Sequence, residues 1–279
     1  MFYTLNDRSP REWHIAIDRH LGSSFRAALC FTPNADWHED GSYTRFSTLF
    51  PNPFSNIIWN ANFPHVELDG AIESAIAPIA AHGVPILWLA GPSSQPANLA
   101  DRLLAHGFHA GFPMPAMAVD LNRVGPVNVP EGFDLHEVCD EDGMQDWLAV
   151  MSAGYELPPE VAKTFGYWPA HLGLSDRSPM RAFLASRHGV PAACSMLFLD
   201  DGVAGIYCVA TTPEMRRQGL ASAVTTLPLL LARDLGYRVG VLQASQMGEG
   251  AYRKIGFESY GTIPMLVHPG RLGKPSSPH

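Results

Sequence analysis

The sequence predicts an α/β chain whose strands build mixed sheets and which divides into two units. Three observations carry that expectation. The run Val203 to Ala210 is apolar, rich in β-branched and aromatic residues and of strand length, as a buried strand requires. After it, Leu220, Ala221, Ala223, Val224, Leu227 and Leu231 recur at helical spacing. The order strand, helix, strand from Arg238 to Val267 also runs from Pro85 to Leu121, one helix ending in Ile255-Gly256-Phe257 and the other in His106-Gly107-Phe108. That recurrence reads as an internal duplication, and 279 residues suit two domains of ~140.

Taken in order, Ser9-Pro10 starts a short helix through Leu21 that carries Trp13, Ile15 and Ile17. Phe25 to Phe31 and Ser42 to Phe50 read as strands on either side of a polar stretch, and Asn56 to Trp59 as another. A helix is expected from Glu67 through His82, a buried strand over Pro85 to Ala90, a helix from Pro96 to His106 and a strand from Pro115 to Leu121. Gly125, Pro126, Pro130 and Gly132 then interrupt the pattern. This places the division between a domain of residues 1–124 and one of residues 130–270, the second of which should bind its ligand without the first.

The second domain opens with a strand from Phe133 to Val138, and Asp140 caps a helix containing Met144, Trp147, Leu148 and Met151. A further helical segment spans Pro159 to Leu172. Strands over Met180 to Ser186 and Val190 to Leu199 are joined as a hairpin through His188-Gly189. Residues 271–279, dominated by Gly, Pro and Ser, read as a loose tail.

Apolar residues make up 46% and charged ones 16% of the chain, a globular composition with ample core. The net charge is −8, with no basic block beyond Arg216-Arg217, so nucleic acid is not an expected partner. Cys30, Cys139, Cys194 and Cys208 show neither C-x-x-C spacing nor paired histidines, so no metal site and no disulfide framework is expected. The start lacks a basic segment followed by an apolar one, and the most apolar stretch, Ala71 to Pro92, is broken by Glu73, Pro78, His82, Gly83 and Pro85. A cytoplasmic protein with no membrane partner is the expectation.

The hexapeptide Arg216-Arg217-Gln218-Gly219-Leu220-Ala221 lies where a strand and its loop feed a helix N-terminus. First-turn N–H groups have no intrahelical partner and carry the positive end of the dipole, so a phosphate satisfies several together. Small residues at 219 and 221 allow the backbone a close approach. With Ala251-Tyr252-Arg253-Lys254-Ile255-Gly256-Phe257 following the next strand, the ordered pair of motifs resembles the GCN5-related N-acetyltransferase (GNAT) family. The resemblance covers about half of the chain well and the rest by analogy. It implies two tandem GNAT-like acyl-CoA N-acyltransferase domains, the first degenerate, because nothing before residue 130 matches R-x-x-G-x-A behind a buried strand.

The resemblance further implies acetyl-CoA as acyl donor and direct attack, in a ternary complex, by an amine of a small molecule or peptide. Backbone groups of Val209, Ala210 and Thr211 would pair with the pantetheine arm and polarise the acetyl carbonyl. Arg216, Arg217, Gln218, Gly219, Leu220 and Ala221 would take the pyrophosphate, and Ser245 stands where many members have a cofactor-touching asparagine. Tyr252 matches the tyrosine that protonates the leaving sulfur. A neutral phenol is a donor at pH 7, and a helix tyrosine also serves plain packing.

Many members carry a basic glutamate where this chain has Gly240. Glu137, Glu249 or a chain of waters are the alternatives. Trp147, Tyr155, Phe165, Tyr167 and Trp168 fall in the helices that the family uses to line the acceptor side, and core packing accounts for them as well. Pro228 should kink or shorten its helix. Two other functions fit the same residues. One is a non-catalytic acyl-CoA-binding regulatory module, marked by slow hydrolysis alone across an amine panel. The other is a same-fold acyltransferase with a different acyl chain or a hydroxyl acceptor, marked by its donor preference.

Overall fold

The computed structural model describes residues 3–30, 32–158, 161 and 178–270. Phe165, Tyr167 and Trp168, with most of the segment Pro159 to Leu172, and the tail 271–279 lie outside the described residues.

The first helix, α1, is longer than expected and runs Pro10–Leu29. Its start is a capping box: Ser9 N–H donates to Glu12 Oε2 (2.8 Å), Ser9 Oγ accepts from Glu12 N–H (3.3 Å), and Pro10 fills the first position. The strand expected from Phe25 is absent because Gly22-Ser23-Ser24 is no break. Ser24 Oγ donates back to the Leu21 carbonyl (2.7 Å), and Ala28 and Leu29 extend the buried stripe of Trp13, Ile17 and Leu21.

The chain continues through β1 (Asp36–Glu39), β2 (Thr44–Ser47), β3 (Asn56–Trp59), α2 (Leu68–Ala80), β4 (Ile86–Leu89), α3 (Leu99–Ala105), β5 (His109–Ala110) and β6 (Met114–Asp120). It goes on through β7 (Phe133–Glu137), α4 (Glu141–Gly154), β8 (Met180–Arg187), β9 (Val190–Asp200), β10 (Val203–Thr211), α5 (Leu220–Asp234), β11 (Val239–Gln243), α6 (Glu249–Ile255), β12 (Glu258–Ile263) and β13 (Met265–His268). The polar stretch thought to separate two strands contains β1, which pairs with β2 from Asp36↔Ser47 to Glu39↔Thr44. Asp140 caps α4 by accepting from Gly143 N–H at 2.8 Å. His188 and Gly189 both take positive φ, +51° and +77°, as a tight two-residue hairpin demands. Pro228 lies buried inside α5, which it does not shorten.

The order from β1 to β6 repeats from β8 to β13: three strands, a helix, a strand, a helix and two strands. The sheets are mixed, in the orders β1-β2-β3-β4-β13-β5 and β12-β6-β11-β10-β9-β8-β7. The last strand of each series therefore lies in the sheet of the other. β6 pairs antiparallel with β11 from Val239↔Asp120 to Gln243↔Ala116, and β13 pairs antiparallel with β4 from Met265↔Leu89 to His268↔Ile86.

The compact units follow this exchange. One comprises Met1–Phe31 with Met114–Thr262, the other Thr32–Pro113 with Ile263–His279. The division expected between residues 124 and 130 is thus not where the units part. Strand pairing decides it, and the Gly and Pro residues there only link β6 to β7 within one unit. In that unit Met117, Val119 and Leu121 pack with Leu229, Leu242, Tyr252 and Phe257. In the other, Ile58, Ile72, Ile79, Trp88, Leu103 and Phe108 form the core together with Leu266 of β13. No described helix is long and apolar enough to cross a membrane.

Candidate active site

The site is built on β10. Its register with β9 is regular from Val203↔Asp200 to Tyr207↔Met196 and resumes at Ala210↔Cys194, so Cys208 and Val209 stand opposite Ser195 alone. This is a β-bulge. Cys208 takes φ +51° within it, and the Cys208 carbonyl accepts a contact from Cys194 Sγ at 3.5 Å. Burial pushes the Cys208 thiol up to about 12, which makes it a poor nucleophile. On its other side β10 pairs in parallel with β11 only at Ala204↔Gly240 and Gly205↔Val241. This pairing has ended before the bulge re-aims β10, so Val209, Ala210 and Thr211 lie on the stretch that has parted from β11.

Beyond β10 the chain turns through Pro213–Met215 into the loop that precedes α5. Arg217 at φ +64° and Gly219 at φ +87° shape this loop, and Gly219 is the N-cap of α5. A Cβ at 219 would meet only Pro130 Cγ at 3.7 Å. The glycine is therefore required by its left-handed backbone, and the space beside it is open to a ligand. Leu220 is buried in a cluster with Phe133 and Val224, so of the loop's expected ligands it has only its backbone to offer. Arg216 differs from expectation too: its Nη2 donates to the Gly154 carbonyl at the end of α4 (3.0 Å) and lies 3.7 Å from Glu156. Arg217 and Gln218 stay exposed.

Tyr252 on α6 is buried to 7% exposure, with its ring 6.0 Å from that of Phe257 in an edge-on contact. Burial raises its phenol above the ordinary tyrosine range. Ser245 Oγ accepts from Gly248 N–H (3.1 Å), and a Cβ on Gly248 would lie 2.9 Å from the Tyr252 ring, so the turn before α6 presses against the tyrosine. Gly240 has no room for a carboxylate, because a Cβ there would meet Leu229, Leu121 and Val119 at 2.7–3.0 Å. Glu137 is held by Arg181 in a bidentate ion pair, and Glu249 by Arg253 at 2.7 Å. Neither is disposed to act as a base.

Tyr155, following α4, brings its hydroxyl to the Val209 carbonyl at 3.2 Å. Close packing of α4 on the bulged strand seats it: a Cβ on Gly154 would lie 2.8 Å from Ala210 Cβ and 3.1 Å from the Thr211 backbone. Tyr155 stood out in the sequence only as one aromatic of several. Its hydroxyl contact joins residues 54 apart and leaves no local signal.

A bulged strand parting from its parallel neighbour, beside a glycine-led helix, is the framework of a tandem acyl-CoA N-acyltransferase fold. Similar solved structures support the fold. A GCN5-related N-acetyltransferase from Kribbella flavida is 21% identical, with 91% of this chain and 96% of that one covered and a TM-score of 0.67. One from Sphaerobacter thermophilus is 16% identical over 93% of each chain, at 0.61. A tandem GNAT protein from the clavulanic acid biosynthesis pathway is 16% identical, covering 97% and 98%, at 0.56. Residues 143–257 match the family model described as acetyltransferase (GNAT) family. The family match is to this segment, and over the rest of the chain the solved structures share the tandem fold. No curated protein matches the sequence.

Proposed function

We propose that this protein transfers the acetyl group of acetyl-CoA to an amine of a small molecule or peptide, by direct attack within a ternary complex. The observation that carries this is the parting of β10 from β11 beyond Gly205 and Val241, which leaves Val209, Ala210 and Thr211 available to an extended pantetheine arm. In this reading the backbone of Arg216 to Ala221 takes the pyrophosphate, with the exposed Arg217 and Gln218 beside it and Ser245 at the rim. Burial keeps Tyr252 neutral well past pH 7, so it has a proton to give to the departing sulfur. Half-exposed Tyr155 offers a ring to a partly apolar amine. The first half of the duplication, lacking the hexapeptide, binds no cofactor of its own. The four cysteines, none in a disulfide, suit a reducing cytoplasmic setting.

Acetyl-CoA is expected to raise the melting temperature of the full chain by mass action, with ~2.7 kcal/mol of stabilisation at a hundredfold excess over Kd. Thiol release should follow when a panel of amines, amino acids and peptides is added. A protein that shows neither response is not this enzyme. Gly219→Val should weaken acetyl-CoA binding at least tenfold, because a β-branched residue in the left-handed region costs ~1–3 kcal/mol and its methyl groups fill the open side of the loop. Calorimetry on the folded variant checks this, and unchanged affinity would remove the loop from the site.

A further inference from the structure

We infer that His20 of α1 removes the proton from the attacking amine, acting through the hydroxyl of Tyr207, and passes it to a cavity on the far side of the imidazole. This rests on the acetyltransferase reading and supplies the base that reading lacks, since Gly240 is walled by apolar side chains and Glu137 and Glu249 are ion-paired.

Helix α1 packs on β6, β9 and β11 of its own unit. At 5% exposure, His20 stacks on the Tyr207 ring at 5.9 Å and meets Phe198 edge-on at 5.2 Å. Its Nδ1 lies 2.7 Å from the Tyr207 hydroxyl. Gly205 makes room for this: a Cβ there would lie 2.5 Å from both His20 Cε1 and the Tyr207 ring. Tyr207 is the last residue of β10 in register before the bulge and keeps partial exposure, one residue from Cys208 and two from Val209. The imidazole is thus coupled through one hydroxyl to the strand on which the thioester would lie.

The opposite side of His20 leads outward. His20 lines a cavity of about 510 Å³ together with Ile15, Arg19, Ser23, Asp200 and Val203, and its Nε2 is buried with no well-formed hydrogen bond among the described residues, only a loose one to the Val203 backbone. A relay needs one nitrogen toward the reaction and one toward an exit. Desolvation lowers His20 to about 4, so the ring is neutral at pH 7 and holds a relayed proton only in passing. Asp200, Asp201 and the Val203 backbone act the other way and favour the charged ring. Ser24 and Gln243 also hydrogen-bond the Tyr207 hydroxyl, and Gln243 Nε2 is tied to the Ile17 carbonyl at 3.3 Å.

The balance is simple. As the amine nitrogen bonds to the acetyl carbon and the carbon–sulfur bond breaks, the amine N–H proton goes to Tyr207 Oη and the Tyr207 proton goes to His20 Nδ1. The charged ring releases its Nε2 proton into the cavity, to water or the Asp200 carboxylate, and tautomer exchange through the cavity water frees Nδ1 again before the next turnover. The departing thiolate takes its proton from Tyr252, which is reprotonated from solvent.

The test uses the full chain and an amine that the wild type acetylates. His20→Ala should lower turnover at least ~10-fold at pH 7, within the range of general base catalysis. The loss should persist above the ammonium pKa of the substrate, because the relayed proton is the one that the neutral amine sheds as it bonds to the acetyl carbon. Added imidazole, which fits the hole that opens into the cavity, should restore turnover to His20→Ala but not to a His20→Ala, Tyr207→Phe double variant. Tyr207→Phe alone should show the same loss across pH, and it decides the matter if His20→Ala does not fold. Wild-type turnover and pH profile in Tyr207→Phe would overturn the relay while leaving the enzyme intact. Acetyl-CoA binding without thiol release by the wild type, across the amine panel, would overturn the acetyltransferase reading and the relay with it.

Discussion

Replacing Tyr252 with phenylalanine is expected to lower turnover at least ~10-fold while acetyl-CoA affinity and melting temperature stay close to wild type. The ring is what packs: it is buried against Phe257, Leu242 and Ala244, and phenylalanine keeps that surface. In the proposed reaction the hydroxyl is the acid, and general acid catalysis contributes ~10²–10⁴-fold. An acid used only in the transition state affects kcat with little change in ground-state binding. A purely structural tyrosine gives the opposite pair of results, a lower melting temperature with turnover per folded molecule preserved. Measuring both quantities on one preparation separates the two roles.

The second large effect concerns cutting the chain. A protein beginning at residue 125 should not bind acetyl-CoA, contrary to what the Gly and Pro residues near 125–132 imply, because it does not fold. It lacks α1 and β6. Without β6, five consecutive residues of β11 lose their partners, and the core loses Met117, Val119 and Leu121, each at most 2% exposed. Burying such side chains contributes ~1.5–3 kcal/mol each, so their loss alone approaches the ~5–15 kcal/mol that holds a domain together. Residues 1–124 and 125–279 produced together should form a soluble complex that binds acetyl-CoA. Saturable binding by residues 125–279 alone would show that β6 is dispensable.

Much of this architecture was legible in local sequence. The run Val203 to Ala210 and the helical spacing from Leu220 onward announced β10 and α5, and the Gly-Phe pair after α3 and α6 announced the duplication. Chemistry that depends on backbone within one segment, as at Arg216 to Ala221, leaves a motif. The strand exchange left none, because β6 and β13 each read as the natural end of their own half and an apolar strand does not encode its neighbour. The bulge at Cys208 is equally silent, since a positive φ at a cysteine follows from tertiary packing. His20 was hidden for a further reason: it belongs to the half that lacks the motif, and its partner Tyr207 lies 187 residues away.

The exchange of β6 and β13 also sets a timetable for synthesis. The sheet begun by β1 to β4 is completed only by residues 265–268, which are made long after it. Domains made in sequence ordinarily fold in the order of their synthesis, but here the segment made earlier must wait for β13. β4 and β5 are meanwhile left without the strand that lies between them, each exposing an edge able to pair with another chain. Nascent chains arrested before Met265 should therefore remain open to protease within residues 32–113, and chains extended past His268 should close that region in a single step.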